Sequence, residues 1–296
     1  MAALAANGII TVAKLTGGFL TGSSALFAEA AHSAADTTNQ GLLLMSLSLG
    51  RRKPDETHPF GHGKERFFWA FTASVMMFVA GAVFAVALGI VTLLGEEHEA
   101  KSALVAYVIL GLSLVIESYA LYRAVSQARG TARRRGQPFL RFVHETKDAT
   151  LRVVLFEDAA AVLGVVIALV GVGLTQATGN AAWDAMASIG IGVVLVGVAL
   201  ELGRDIRGLL VGEAAHPDDR RRLREAIASH PEIRELVDLR TMQLGPESLL
   251  VTARVALEHD LMAHEIERVA DEVDASLRRA VPAVREVFLD PTPASS

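Results

Sequence analysis

The sequence predicts an α-helical membrane protein with six transmembrane helices, followed by a small α/β domain. Of the 296 residues, 51% are hydrophobic, yet 21% are charged, which is near the average of soluble proteins. A high hydrophobic fraction and an average charged fraction are compatible if the two kinds of residue occupy different parts of the chain. Most of the apolar residues lie before Val211. We therefore expect a membrane domain over residues 1–210 and a domain in water over residues 211–296.

Six segments are long and apolar enough to cross a bilayer as helices, which takes about 20 residues. They are roughly 2–22, 26–49, 66–94, 103–125, 149–174 and 183–208. Lys and Arg are concentrated in the connectors after the second and fourth segments, whereas the other connectors hold only Lys101. Because positively charged loops stay on the cytoplasmic side, we expect both termini and the C-terminal domain there, with a bacterial plasma membrane as the host.

The C-terminal part predicts the element order αββαβ. Pro217 and the two Asp residues after it begin a helix. Two strand-like runs follow, separated by a hairpin turn at Gly245–Pro246. Residues 261–281 carry apolar side chains at helical spacing, and residues 284–290 predict a last strand. Together these elements predict helices packed on one face of a short sheet.

The second segment carries a stripe of polar side chains, although its flanks are apolar. Glu29, His32, Asp36 and Asn39 follow one another at spacings of three and four, which places them on one face of a helix. An ionised side chain at the bilayer centre costs about 3 kcal/mol by insertion scales, so such residues indicate function. His32 and Asp36, one turn apart, can both reach one metal ion.

The fifth segment supplies the complementary carboxylates, Glu157 and Asp158. Adjacent residues leave a helix about 100° apart, so only one of the two points straight at the second segment. With His32 and Asp36, one or two carboxylates make a four-ligand nitrogen and oxygen site that suits Zn²⁺, Mn²⁺, Fe²⁺ or Co²⁺. The chain contains no Cys, so no thiolate contributes.

Further ionisable side chains lie in the apolar segments. Lys14 is expected to neutralise a carboxylate rather than to bind a ligand. Glu29, Glu117 and Glu201 are expected to be helix-end or packing groups, or to line a path across the membrane.

A second candidate site lies in the basic connector after the second segment. Asp55, His58 and His62 follow at spacings of three and four and offer three ligands to a surface metal, with the fourth position left to water or a neighbouring chain. The alternative interpretation is a solvated loop with Gly hinges.

Three stretches resemble the cation diffusion facilitator family of zinc transporters. They are "HSAAD" in the second segment, the "GSSALFAEAAHS" that contains its start, and the "HPFGHGKER" loop. The resemblance covers nearly the whole chain. It implies a homodimer that exports divalent metal, above all Zn²⁺ as the transported substrate, in exchange for protons. It also implies a cytoplasmic, metallochaperone-like C-terminal domain that assists dimerisation, and it matches Asp55, His58 and His62 to a loop site of some members.

The chain departs from the family pattern in its fifth segment. The family carries a His or Asp there, followed four residues later by Asp; Asp158 takes the second place, and Val154 stands at the first. Glu157 is the expected substitute ligand. This "LFEDAAAV" variant resembles the branch that includes the mitochondrial zinc exporters of animals, and it leaves Zn²⁺ open against Mn²⁺, Fe²⁺ and Co²⁺.

The C-terminal domain departs as well. The places of the family's metal cluster are taken by Val237, Ala253, Phe288 and Asp290, and only the Asp can bind metal. We therefore expect this domain to hold no metal and to join two copies by packing and salt bridges.

Other function classes fit the sequence less well. The formal net charge of −5 and the lack of a large basic face argue against a nucleic-acid partner. No HExxH or GxSxG motif indicates an intramembrane enzyme, and no organic cofactor is expected. A metal channel or sensor without proton coupling remains as the alternative. The predicted partners are a second copy, divalent metal ions, protons and lipid.

Overall fold

A computed structural model describes residues 2–95, 103–134 and 136–293, with side chains described from Asn7 onward. The connector that carries Lys101 lies outside the described residues. The chain divides into two compact units. One contains the residues up to Leu47 together with Phe68–Ile206, and the other contains Ser48–Phe67 together with the residues from Arg207 onward.

The first unit is helical. Its helices, some of which extend beyond it, are α1 (Ala2–Thr21), α2 (Ser24–Leu49), α3 (Glu65–Met76), α4 (Phe84–Leu94), α5 (Ala103–Arg134), α6 (Phe139–Glu145), α7 (Ala149–Thr178) and α8 (Ala182–Val211). A π-helical segment, Met77–Val83, joins α3 to α4, so these elements form one continuous span.

Four helical spans in the described part of the chain are long and apolar enough to cross a membrane. They are Glu65–Leu94, α5, α7 and α8. The prediction of six spans is therefore supported only in this coarser form. Helices α1 and α2 occupy the two remaining predicted segments, with 20 and 26 residues. The polar stripe of α2 explains why its composition is less apolar than that of the four spans.

The second basic connector is largely helical, which the sequence analysis did not predict. Helix α5 continues to Arg134, and the short helix α6 follows it. Ala128 and Ala132 of α5 are buried against Phe142 of α6. The small Ala side chains let the two helices approach closely, and this packing extends α5 beyond its apolar part.

The second unit contains the predicted αββαβ order. Its elements are α9 (Pro217–Ala228), β1 (Ile233–Gly245), β2 (Ser248–Leu257), α10 (Ala263–Ala280) and β3 (Val284–Pro291). The sheet has the order β1-β2-β3, with β1 and β2 antiparallel and β2 and β3 parallel. Helices α9 and α10 bury apolar side chains such as Leu223 and Val273 against the sheet. The predicted hairpin turn is observed, since Gly245 pairs with Ser248.

Candidate metal-transport site

Helix α2 presents His32 and Asp36 side by side in the interior of the helical unit. Both side chains are buried, and His32 Nε2 lies 3.5 Å from Asp36 Oδ2. Two ligand atoms of one tetrahedral Zn²⁺ ion lie about 3.4 Å apart, because each is about 2.0–2.2 Å from the metal. The pair is therefore spaced to share one ion.

These two side chains have unused ligand atoms. Within the described residues, neither ring nitrogen of His32 has a hydrogen-bond partner, and Asp36 Oδ1 has none. Buried polar atoms are nearly always paired, because leaving one unpaired costs about 1–3 kcal/mol. A stripe of such atoms on one helix indicates a site built for a ligand that is a cation, since imidazole nitrogen and carboxylate oxygen are metal donors.

Asn39 continues the stripe and connects α2 to α7. Its Nδ2 donates a hydrogen bond of 2.7 Å to Glu157 Oε1, and both side chains are buried. Asn39 Oδ1 has no partner among the described residues. Glu157 is thereby held facing the helix that carries His32 and Asp36.

Asp158, the neighbour of Glu157, is only partly buried. Val154, one turn before Asp158, packs against the apolar cluster between α5 and α6. The structure thus orients Glu157 toward α2, whereas the position of Val154 belongs to an apolar contact.

A second buried polar cluster lies next to this site. Lys14 of α1 forms an ion pair of 2.8 Å with Glu29, donates a hydrogen bond of 2.8 Å to Ser33, and lies 3.5 Å from Glu117 of α5. The Lys14 side chain is fully buried, so each contact compensates part of the cost of removing its charge from water. The cluster ties α1, α2 and α5 together.

Close packing of α7 against this cluster depends on a glycine. A Cβ at Gly164 would collide with Glu29 Oε1, an oxygen that has no hydrogen-bond partner among the described residues. A side chain at position 164 would force the Glu29 carboxylate to shift, so glycine lets α7 lie this close to it.

The remaining charged residues lie elsewhere. Glu201 is exposed on α8, and Asp290 forms an exposed ion pair of 3.2 Å with Arg254 in the second unit. The Asp290 carboxylate is therefore paired with an arginine of the neighbouring strand β2. That the C-terminal domain holds no metal stays a prediction.

The loop residues form the most compact set of ligands. Asp55, His58 and His62 are the trio of His, Asp and Glu side chains, among the described residues, whose ligand atoms all lie within 4.8 Å of one another. Asp55 Oδ1 lies 3.4 Å from His58 Nδ1, and Asp55 Oδ2 lies 3.5 Å from His62 Nε2. The structure does not gather His32, Asp36 and a carboxylate of α7 within that radius.

Local backbone contacts hold the loop trio in place. Asp55 Oδ1 accepts hydrogen bonds from the backbone N–H groups of Thr57 and His58, at 3.0 and 2.6 Å. The bond from the His58 N–H holds the pKa of the Asp55 carboxyl below its usual range. His58 and Asp55 are exposed, whereas His62 is buried and its Nδ1 has no partner among the described residues.

Sequence reasoning missed two buried charges near the ends of α7 and α8. Arg152 of α7 forms an ion pair with Asp205 of α8. Asp184, in the first turn of α8, accepts four hydrogen bonds from Ser23, Ser24 and Ala25. Both residues are charged and lie near the start of an apolar segment, and this position could have indicated them.

Comparison with known proteins gives two matches that together cover most of the chain. The cation efflux transmembrane domain matches residues 1–211, and the cytoplasmic domain of cation efflux proteins matches residues 215–293.

Individual relatives are named as metal transporters. The proton-coupled zinc antiporter SLC30A9, mitochondrial, of Xenopus laevis is 36% identical over 92% of this chain and 49% of its own length. Its human counterpart is 37% identical over 83% and 43%. The manganese efflux system protein MneP of Bacillus subtilis is 24% identical over 98% and 94%. The chain thus spans about half the length of the first two relatives.

Proposed function

We propose that this chain, which belongs to the cation efflux family, moves divalent metal ions across a membrane in exchange for protons, with Zn²⁺ as the main substrate. The observation that carries the proposal is the buried pair on α2, where His32 and Asp36 lie 3.5 Å apart with unpartnered ligand atoms. Such donors inside a helical membrane domain suit a cation and little else.

The remaining ligands come from α7. Asn39 holds Glu157 toward α2 through its hydrogen bond of 2.7 Å, and Asp158 follows on the same helix. A site shared between two helices opens or closes when one helix moves against the other, which is the usual arrangement in secondary transporters. We assign His32, Asp36 and Asp158 as metal ligands and Glu157 as the fourth.

Exchange for protons follows from the chemistry of these ligands. Carboxylates and imidazole bind metal only in their deprotonated forms, so metal binding releases protons and protonation releases metal. When the site faces the side to which metal is exported, protons displace the ion, and the protonated site returns them. The names of the zinc antiporter relatives support this coupling.

Zinc is preferred over the other divalent metals by two arguments. The imidazole of His32 and the tetrahedral spacing of the pair suit Zn²⁺, whereas Mn²⁺ favours oxygen ligands. The relatives of higher identity carry zinc in their names, and the manganese efflux relative is more distant. A Mn²⁺-, Fe²⁺- or Co²⁺-preferring exporter of the same fold is the second candidate, because oxygen ligands outnumber nitrogen.

We also propose that the chain acts as a homodimer joined through its cytoplasmic domain, which the family match over residues 215–293 supports. The basic connectors support a cytoplasmic location for both termini. The chain is a membrane protein, but the expectation of a bacterial plasma membrane gains no support, since the relatives of higher identity are named mitochondrial.

Proteoliposomes that contain the purified protein test the proposal. We expect Zn²⁺ to accumulate against its gradient when a proton gradient is imposed, faster than Mn²⁺, Fe²⁺, Co²⁺ or Cd²⁺. An Asp36→Ala variant, reconstituted at the same density, is the control and should be silent. Zinc flux that only runs down its own gradient would identify a channel. Proton-driven flux of another metal but not of zinc would support the exchange mechanism and contradict Zn²⁺ as the substrate.

A further inference from the structure

We infer that Asp184 of α8 is a positioning residue that sets the place of the metal-binding helix α2 by holding its N-terminus. The inference rests on the proposed transport function, because it concerns how the same site is aligned. Its starting point is the set of backbone N–H groups at the start of α2. The first four N–H groups of any helix lack partners within the helix and must find them elsewhere.

Each of these four donors is satisfied, and two of them depend on another helix. Ser24 N and Ala25 N donate to Asp184 Oδ2 at 2.5 and 3.3 Å. Leu26 N donates to Ser23 Oγ at 3.2 Å, and Phe27 N donates to Ser23 O at 3.2 Å. Helix α2 therefore shares its cap between its own Ser23 and a side chain that is distant in the sequence.

The two hydroxyls of the turn complete the contact. Ser23 Oγ donates to Asp184 Oδ1 at 2.6 Å, and Ser24 Oγ donates to Asp184 Oδ2 at 2.8 Å. An ionised carboxylate accepts all four bonds with its two oxygens. An amide cannot, because one of its two polar atoms is a donor and would face other donors.

The position of Asp184 strengthens the contact. The residue lies in the first turn of α8 and is buried. Its carboxylate thus lies at the N-terminus of two helices, where both helix dipoles favour negative charge. Charge-assisted hydrogen bonds in a buried site are stronger than neutral ones, so the contact is a firm connection between α2 and α8.

This connection aligns the two halves of the metal site. His32 lies eight residues after Ser24, about 12 Å along the same rigid helix. Glu157 lies on α7, and α7 packs closely on α8, since a Cβ at Gly171 would collide with Ala187. Asp184 therefore connects the helix that carries His32 to the helix pair that carries Glu157.

Transport measurements on single variants give the first test. We expect Asp184→Asn, which keeps the size of the side chain, to lower the zinc transport rate about ten-fold, because a small misplacement of positioned groups lowers a rate steeply. The matched control is Asn180→Ala, because Asn180 Oδ1 accepts a bond from Ala182 N at the start of α8 and, within the described part of the chain, forms no hydrogen bond with α2. This control should transport at the wild-type rate. An Asp184→Asn variant with wild-type transport would overturn the inference.

A double-mutant cycle separates positioning from general destabilisation. The Ser24→Ala variant removes one hydroxyl contact of Asp184 and leaves the bond from Leu26 N to Ser23 Oγ in place. It is milder than Asp184→Asn and should lower the rate in the same direction. Combined with Asp184→Asn, it should add little, because both changes act on one contact. Effects that multiply in full would show that Asp184 acts independently of the start of α2.

A distance measurement tests the connection without transport. The chain has no Cys, so spin labels can be attached to cysteines introduced at Leu44 of α2 and Leu200 of α8, which are both exposed. Pulsed electron paramagnetic resonance should give a narrow distance distribution, broadened by Asp184→Asn and unchanged by Asn180→Ala. If the wild-type protein moves no metal but Asp184→Asn broadens the distribution, the proposed function fails and the connection between α2 and α8 stands. If Asp184→Asn transports zinc normally and does not broaden the distribution, the connection fails.

Discussion

Asn39 Nδ2 and Glu157 Oε1 lie 2.7 Å apart, and the hydrogen bond between them connects α2 to α7 beside the His32–Asp36 pair. The bond explains how a chain with Val at the family's ligand position still presents a carboxylate to α2. Glu157 is adjacent to Asp158 but leaves α7 in a different direction, and Asn39 fixes that direction.

Removal of Asn39 should therefore impair transport without touching a metal ligand. Asn39→Ala leaves the buried Glu157 without its donor, and loss of such an orienting contact typically costs about 10–100-fold in metal affinity. We expect a rise of that size in the zinc concentration for half-maximal transport in proteoliposomes. Thr38→Ala is the control, because Thr38 is exposed and donates only to the backbone of its own helix. Equal behaviour of the two variants would contradict the role of Asn39.

The ligand assignment predicts a sharp contrast between the two Asp ligands and Val154. Asp36→Ala and Asp158→Ala should each abolish zinc transport, because each removes a charged metal ligand. Val154→Ala should leave transport nearly intact, since Val154 packs against the apolar cluster of α5 and α6. The measurement is initial zinc flux at equal protein density. Wild-type flux from either Asp variant would defeat the assignment.

Lys14 should matter for stability more than for metal binding. Lys14→Met leaves Glu29 and Glu117 buried without their cation, and removal of one partner from a buried ion pair costs about 3–5 kcal/mol. We expect a lower unfolding temperature in detergent, partly restored in Lys14→Met/Glu29→Gln, where one stranded charge is removed as well. A double variant no more stable than the single one would argue against the ion pair as the cause.

The loop trio should bind zinc independently of the transport site. In an Asp36→Ala background, native mass spectrometry of the full chain should still detect one bound zinc per chain, and His58→Ala or His62→Ala should remove it. His264→Ala, an exposed His on α10, serves as the control. Retention of zinc after both loop changes would show that the compact geometry of the loop holds no ion.

An ion pair in the C-terminal domain should make the stability of that domain depend on pH. Arg268 donates to Glu232 at 2.8 Å and lowers the pKa of that carboxyl below its usual value of about 4.3. Because the folded pKa is depressed, the pair stabilises the domain above the unfolded pKa, and this contribution is lost as pH falls through the folded pKa. Glu232→Gln should flatten the decline of the unfolding temperature below about pH 4.3, whereas Glu247→Gln in the β1–β2 turn should not.

Local sequence patterns predicted much of the fold. The lengths of the apolar segments and the αββαβ order followed from periodicity and turn residues, because these reflect contacts between residues close in sequence. The same holds for the loop trio, whose members lie within eight residues. The extension of α5 to Arg134 was missed, since it depends on Ala128 and Ala132 packing against Phe142, and no local pattern reports a distant partner.

The sequence by itself determined that α2 carries His32 and Asp36 on one face, because a helical repeat decides which side chains are neighbours. Only the tertiary structure decided that Glu157 is held by Asn39, and that Asp184 caps a helix about 160 residues away. The physical reason is that spacing along one helix is set by local geometry, whereas the pairing of two helices depends on the packing of the whole unit.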